Sequence, residues 1–321
     1  MKPIVAFPFR HHSTMICAEA KQMLIDAGFE LVCNDTGRKL DRDEQKEMIK
    51  DAFAIISGTE KYDADMLDAA PNLKVIIRFG VGLDNYDVAE MKKRGIQIGV
   101  ISNNNAVAEF TLTLMLGMLK NLPRFDAAAR NAKWDRYPMY ELSGKTVGII
   151  GFGRIGRRLC ELLKGFGVKI LVNDLYLKPE DAAKFGVESV SLEQLLFESD
   201  IVSLHAPSTP ETRHMINAIT LSKMKNTAIL INTSRGLLVD EKALYNALKN
   251  GIIRGAAIDV YEVEPLVEGN PLLELENIVV APHVAALTEE TNYNAGITCA
   301  ESVISVYNGN APIYPVSELS N

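Results

Sequence analysis

The segment Thr146–Gly167, TVGIIGFGRIGRRLCELLKGFG, constrains this chain more than any other. An apolar run typical of a strand leads into Gly151-Phe152-Gly153-Arg154-Ile155-Gly156 and then directly into an amphipathic helical pattern. Gly151 permits a tight turn, Gly153 lets backbone approach a pyrophosphate, and Gly156 lets the helix pack close. The N–H groups that open such a helix, with its partial positive charge, suit an anion. A second apolar run, KILVND, ends at Asp174, about 20 residues on, where a carboxylate can accept hydrogen bonds from an adenosine ribose. The same charge repels a 2′-phosphate, so the segment predicts NAD rather than NADP.

Composition narrows the remaining classes. The 321 residues carry a net charge of −7, and 47% are hydrophobic against 23% charged. That balance predicts a globular protein of two domains at about 150 residues each, with no electrostatic footprint for nucleic acid or an anionic membrane. The longest apolar stretch, Ala106–Leu119, is too short to span a bilayer and contains Glu109. MKPIVAFPFRHH does not read as a signal peptide. Cys17, Cys33, Cys160 and Cys299 form no CxxC pair, which predicts free thiols and a cytoplasmic location.

Apolar runs alternate with amphipathic stretches along the whole chain. In the first hundred residues Ile4–Phe7, Glu30–Cys33, Ala54–Ser57, Leu73–Arg78 and Ile96–Val100 read as strands. Met15–Ala27, Arg42–Lys50, Ala64–Ala69 and Val88–Arg94 read as helices, with Gly28, Gly58 and Gly95 at junctions that often need positive φ. A helix over Val107–Asn121 ends before Pro123, and a polar, aromatic connection, NAKWDRYPMYELSGK, follows. TVGII, KILVN, DIVSL, AILIN, GAAID and NIVVA supply a second set of strands, and a last helix covers Glu289–Tyr307. Near-continuous apolar strands separated by helices predict parallel sheets covered on both faces. The fold class is therefore α/β, with two Rossmann-like or flavodoxin-like domains and a cleft between them.

Ligands of such sheets sit at the carboxyl ends of the strands, so polar residues there are the candidates for chemistry. AILINTSRG delivers Arg235, GAAIDVYEVEP delivers Asp259 and Glu264, and NIVVAPHVAALT delivers His283. Histidine titrates near neutrality and suits acid–base work. A carboxylate on its second ring nitrogen would fix the tautomer, and an arginine offers a bidentate fork to a substrate carboxylate. His205 ends a strand nearer the dinucleotide and reads as structural or cofactor-lining. His11, His12 and His214 show no partner pattern and read as solvated. No spacing resembles a metal site, and no nucleophile elbow is present.

The chain closely resembles the D-isomer-specific 2-hydroxyacid dehydrogenase family, in its phosphoglycerate-dehydrogenase-like branch. The resemblance runs from about Ala54 to Val306 through RFGVGLDNYD, NAVAEFTLTLML, GKTVGIIGFGRIG, HAPSTPETRHMIN, NTSRGLLVDEKAL, GAAIDVYEVEPL and APHVA. It implies that His283 is the general acid and base, that Glu264 pairs with its imidazole, and that Arg235 orients the substrate. Backbone N–H groups at Val81 and Gly82 would complete carboxylate binding. Cofactor contacts are implied at Val81, Gly151, Gly153, Arg154, Ile155, Gly156, Asp174, Ala206, Pro207, Thr233, Asp259 and His283–Ala286, with Asp259 holding the nicotinamide carboxamide. Residues 1–101 with 288–321 would form the substrate-binding domain and 102–287 the NAD-binding domain, the helix 106–121 making a homodimer contact.

Several positions depart from the family pattern. Relatives that act on phosphoglycerate carry an arginine about where Ser57 stands, leaving Lys61 as the nearby cation. This favours an unphosphorylated 2-ketoacid over 3-phosphohydroxypyruvate. The family's His-Ile-Gly-Gly is His283-Val284-Ala285-Ala286 here, and the run Asn103-Asn104-Asn105 has no account. No room for a C-terminal regulatory domain is expected before Asn321. An NAD(H)-sensing corepressor-like module is the alternative of another class, which the presence of Arg235, Glu264 and His283 disfavours. Formate dehydrogenases typically carry glutamine at the Glu264 position.

Overall fold

The computed structural model describes residues 2–10, 12–101, 104–134 and 136–316. His11, Asn103 and the domain boundary expected at Ser102 lie outside them. The chain divides into two compact units, Met1–Asn103 with Leu287–Asn321, and Asn104–Ala286.

The first unit is built on a parallel sheet of β1 (Ile4–Phe7), β2 (Glu30–Cys33), β3 (Ala52–Ser57), β4 (Val75–Arg78) and β5 (Gln97–Val100), in the order β2-β1-β3-β4-β5. This is the flavodoxin-like order. α1 (His12–Met15), α2 (Ala18–Asp26), α3 (Arg42–Ile49), α4 (Ala64–Asp68) and α5 (Val88–Lys93) connect the strands. Asp41 opens α3 through a reciprocal capping box with Glu44. Side chains alternate along β1 and β3. Val5, Phe7, Ala54 and Ile56 enter one apolar cluster, while Ala6 and Ile55 enter another on the opposite face. The two clusters are the physical reason these strands read as unbroken apolar runs.

The second unit begins with α6 (Asn104–Leu119) and α7 (Leu122–Arg130). Its strands are β6 (Thr146–Ile150), β7 (Lys169–Asn173), β8 (Glu188–Ser189), β9 (Ile201–Leu204), β10 (Ile229–Asn232), β11 (Gly255–Ile258) and β12 (Ile278–Val280). They form one seven-stranded parallel sheet in the order β12-β11-β10-β9-β6-β7-β8. The centre of the sheet matches the dinucleotide-binding arrangement, with strand order reversing between β6 and β9. α8 (Arg154–Leu163), α9 (Pro179–Phe185), α10 (Leu192–Glu198), α11 (Ala218–Ser222) and α12 (Glu241–Lys249) complete the crossovers. α13 (Glu289–Tyr307) belongs to the first unit, where it packs on α2 and β4.

Two expectations change. The connection after α6 begins with a helix, because Pro123 both ends α6 and occupies the first turn of α7, where its missing N–H costs nothing. Gly58 has no positive φ. A Cβ there would sit 2.8 Å from the Cβ of Phe9, so close packing is what requires glycine. The apolar side chains of α6 mostly pack on their own unit: Leu114, Met115 and Leu119 are buried, and Phe110, Leu112, Leu116 and Met118 pack against the same core. Further exposed apolar side chains follow α6, at Leu122, Trp134, Tyr137, Met139 and Tyr140.

Candidate active site

The glycine loop follows β6 and has the shape a dinucleotide requires. Gly151 has φ 92°, and a Cβ on it would lie 2.6 Å from the carbonyl of His205. A Cβ on Gly156 would lie 2.4 Å from the Gly151 carbonyl oxygen, so only glycine lets α8 start this close to the turn. At Gly153, by contrast, a Cβ would meet nothing within 4 Å. That open space is where a phosphate can approach the backbone. Gly153 caps α8 without a side-chain hydrogen bond, leaving the helix start open to an anion. The residues present therefore fit a dinucleotide. Ile155 packs beside the core, and Arg154 opens the helix.

Asp174 closes the other side of the loop. Its Oδ2 accepts from the Phe152 N–H at 2.6 Å and its Oδ1 from the Tyr176 N–H at 2.7 Å. Each oxygen keeps further acceptor capacity for ribose hydroxyls, and the pair of amides fixes where the negative charge sits.

His283, Glu264 and Asp259 come together within this unit. The His283 Nδ1 lies 2.7 Å from the Glu264 Oε2, while the Glu264 Oε1 accepts from the Tyr261 N–H at 3.1 Å. Burial alone would raise the Glu264 carboxyl, but the hydrogen bond and charge of His283, with Tyr261 and the charge of Arg235, hold it below its usual range. An ionised carboxylate on Nδ1 leaves the imidazole Nε2 as the atom that can exchange a proton with a substrate. His283 has φ 56°, an uncommon conformation for a non-glycine residue. The turn is held by Asp259, which is fully buried. Its Oδ1 accepts from the Val284 N–H at 2.8 Å and its Oδ2 from the Ala285 N–H at 2.9 Å. Burial raises the Asp259 carboxyl, while those two amides and the charge of His283 pull it the other way. Arg235 follows β10, its Nη1 donating to the Ser234 carbonyl at 2.8 Å.

The remaining expected contacts surround the strand ends. Ala206 is buried, Pro207 and Ala286 retain exposure, and the Ala206 carbonyl accepts from the Ser234 hydroxyl at 2.6 Å. Thr233 is buried against Thr111 of α6, hydroxyl to hydroxyl at 2.8 Å. The Thr111 hydroxyl also bonds the Val107 carbonyl at 2.7 Å. Thr111 was not singled out from the sequence, although it lies inside NAVAEFTLTLML. Val81 and Gly82 belong to the first unit, in the loop after β4.

The histidines divide. The His205 Nε2 lies 2.9 Å from the Ser203 hydroxyl, and burial lowers its pKa to about 4, consistent with a structural or cofactor-lining residue. His12 is not solvated. It is 3% exposed, with Nε2 3.1 Å from the Asn34 carbonyl and Nδ1 3.2 Å from Lys21 Nζ. His214 is half-buried and lies 3.4 Å from Glu262. Among the described residues no cluster of three or more His, Cys, Asp or Glu is placed to hold a metal ion, and no helix is long and apolar enough to cross a membrane.

Ser57 is wholly buried, its hydroxyl on the Tyr86 hydroxyl, so it presents nothing to a phosphate. A polar cavity of about 330 Å³ lies beside the following loop, lined by Lys39, Arg42, Gln45, Thr59, Glu60, Lys61 and Asn85. Two of its cations are neutralised. Arg42 pairs with Asp63 and Asp65, and Lys61 lies 3.3 Å from Asp63.

Comparison with known proteins agrees with this geometry. Residues 112–285 match the family described as D-isomer specific 2-hydroxyacid dehydrogenase, NAD binding domain. The chain is 44% identical over 277 residues to a glyoxylate reductase of Korarchaeum cryptofilum, covering 83% of each. It is 40% identical over 316 residues to a D-3-phosphoglycerate dehydrogenase of Methanocaldococcus jannaschii, covering 96% of this chain and 58% of that one. Among solved structures, the NADPH-dependent glyoxylate/hydroxypyruvate reductase of Sinorhizobium meliloti, in complex with NADP and malonate, superposes with a TM-score of 0.87 at 29% identity, over 99% of this chain and 98% of that one. The chain belongs to the D-isomer specific 2-hydroxyacid dehydrogenase family.

Proposed function

We propose that this protein is an NAD-dependent oxidoreductase that interconverts a small, unphosphorylated 2-ketoacid and its D-2-hydroxyacid. The observation that carries the reading is the His283–Glu264 pair at 2.7 Å, set on a turn that Asp259 clasps from within. A sensor of dinucleotide needs no such acid–base pair.

The residues divide the work as follows. Val81 and Gly82 offer backbone N–H groups to the substrate carboxylate, and the Arg235 guanidinium orients carboxylate and carbonyl with its planar fork. Bound NADH supplies a hydride equivalent. His283 delivers the Nε2 proton to the carbonyl oxygen and withdraws it in the reverse direction, with Glu264 compensating the imidazolium charge. Gly151, Gly153, Arg154, Ile155, Gly156 and Asp174 hold the dinucleotide, with Ala206, Pro207, Thr233 and Ala286 lining it. Asp259 is fixed by two amides, so its main role in this reading is to set the His283 turn; contact with the carboxamide is secondary.

Three facts support the unphosphorylated class. Ser57 is buried, Lys61 and Arg42 face Asp63, and glyoxylate reductases of two archaea align at 44% and 43% identity. Two-subunit association is part of the proposal, through the helix 106–121 and the exposed apolar residues that follow it. A cytoplasmic location fits the four free cysteines. The test is NADH oxidation with glyoxylate, hydroxypyruvate and 3-phosphohydroxypyruvate, with NADPH in parallel. Turnover of the first two, and little of the third, is expected. Efficient turnover of 3-phosphohydroxypyruvate alone overturns the substrate class, and no turnover by folded, NADH-binding protein overturns the enzyme.

A further inference from the structure

We propose that Arg78 is a positioning residue for the substrate carboxylate: it holds the loop Phe79–Gly82 open around its own charge. The inference rests on the ketoacid reading and adds a residue to it.

Arg78 is the last residue of β4. The loop that follows is tied down at its start. The Phe79 N–H donates to the Ser57 carbonyl at 2.9 Å, the Gly80 N–H to the Arg78 carbonyl at 2.8 Å, and the Gly80 carbonyl accepts from the Ile101 N–H at 3.2 Å. Beyond that anchor the N–H groups of Val81 and Gly82 have no acceptor among the described residues. Two consecutive free amides are the donors with which a loop can bind an oxyanion.

The guanidinium lies against the same loop. Its Nε donates to the Gly82 carbonyl at 3.1 Å, which fixes the far end of the loop. A Cβ on Gly80 would sit 3.4 Å from the guanidinium carbon, so the loop backbone is in contact with the charged group. No carboxylate lies within 4 Å of Arg78 among the described residues, although the side chain is half-buried. The acid that feels its charge, Glu60, is 6% exposed, and its Oε2 is occupied by the Gly58 N–H at 2.7 Å. A half-buried guanidinium without an ion pair, beside two unclaimed amides, leaves the loop short of one anion. A 2-ketoacid carries one. Lysine keeps the charge but has no Nε–H branch to reach the Gly82 carbonyl while its terminus faces the loop. Methionine keeps the bulk of the stem and neither polar function.

The test uses Arg78→Met and Arg78→Lys in the full chain, reading KM and kcat for glyoxylate, the inhibition constant of oxalate, and NADH affinity by fluorescence. Arg78→Met is expected to raise KM and the oxalate constant together by at least about tenfold, the weight of a charge-assisted contact, with kcat and NADH affinity nearly unchanged. Arg78→Lys should recover part of the loss. Unchanged KM and oxalate constants in Arg78→Met overturn the proposal. So does an equal loss of kcat, KM and NADH affinity in both variants, which marks a merely structural brace. If the wild-type protein reduces no 2-ketoacid, the reading of the preceding section fails, and oxalate binding to wild type and Arg78→Met still decides whether the loop holds a carboxylate.

Discussion

The Glu264 carboxylate receives the His283 ring nitrogen on one oxygen at 2.7 Å and the Tyr261 amide on the other at 3.1 Å. It is thus held by two donors, one of which carries the exchangeable charge. Burial pushes this carboxyl up, the charge of His283 pulls it down further, and the net direction is down. Because this carboxyl is held below its usual range, it stays ionised, and keeps its hold on the ring, until the pH falls below that range. Glu264→Gln keeps the size of the side chain and removes the negative charge that orients the ring. It should lower kcat/KM for glyoxylate reduction by at least about tenfold, with NADH affinity nearly unchanged. Steady-state kinetics and NADH fluorescence measure both, and an undiminished kcat/KM removes Glu264 from its role.

Asp259 acts on the same histidine through backbone. Its two oxygens accept from Val284 and Ala285, the residues directly after a histidine whose φ is 56°. Asp259→Asn replaces one acceptor by a donor facing an N–H, and the turn must relax. Displacement of a catalytic group by about an ångström costs roughly a hundredfold in rate. Turnover should therefore fall far more than NADH affinity. The opposite pattern, weakened NADH binding with normal kcat, assigns Asp259 to the carboxamide instead.

Much of this architecture is legible in local pattern. β1 and β2 begin and end where their apolar runs do, and α13 covers the Glu289–Tyr307 stretch read from the sequence. Gly151 and Gly156 announce close packing: a Cβ on them would lie 2.6 Å from the His205 carbonyl and 2.4 Å from the Gly151 carbonyl oxygen. What stayed hidden depends on partners distant in sequence. His12 is buried because the Asn34 carbonyl, 22 residues on, receives its ring. Thr233 gains a partner on α6, 122 residues earlier, that no spacing could suggest. β8, two residues long, offers no periodicity to read, and α7 was masked by a proline that ends one helix and begins the next. Ser57 aligned with a ligand-facing position in relatives but points at Tyr86, a matter of strand register rather than composition.

Cofactor choice should follow Asp174. The carboxylate is immobilised by the Phe152 and Tyr176 amides, so it cannot swing away from a 2′-phosphate. Wild-type protein should prefer NADH. Asp174→Ser should lower the ratio of kcat/KM for NADH over NADPH by at least about tenfold, because the repulsion goes while a hydroxyl remains. A preference for NADPH in wild type, or no change in the variant, contradicts this assignment.

Subunit association should depend on the segment after α6. Trp134 is 89% exposed and Leu122 63%, while Tyr137 and Tyr140 lie under the guanidinium groups of Arg124 and Arg254 at 4.0 and 3.5 Å. An apolar patch held in place this way usually meets a partner. Sedimentation of the wild-type protein should give a dimer, and Trp134→Asp with Leu122→Asp should give a monomer of unchanged secondary structure. A dimer that survives both changes places the interface elsewhere.

The most direct test of the chemistry is His283→Ala, with glyoxylate turnover and NADH affinity measured on the same preparation. A positioned acid contributes about 10²- to 10⁴-fold, so turnover should fall within that range while NADH binds as before. Undiminished reduction of glyoxylate by the variant would mean that the proton comes from another group and that the His283–Glu264 pair is not the acid of this enzyme.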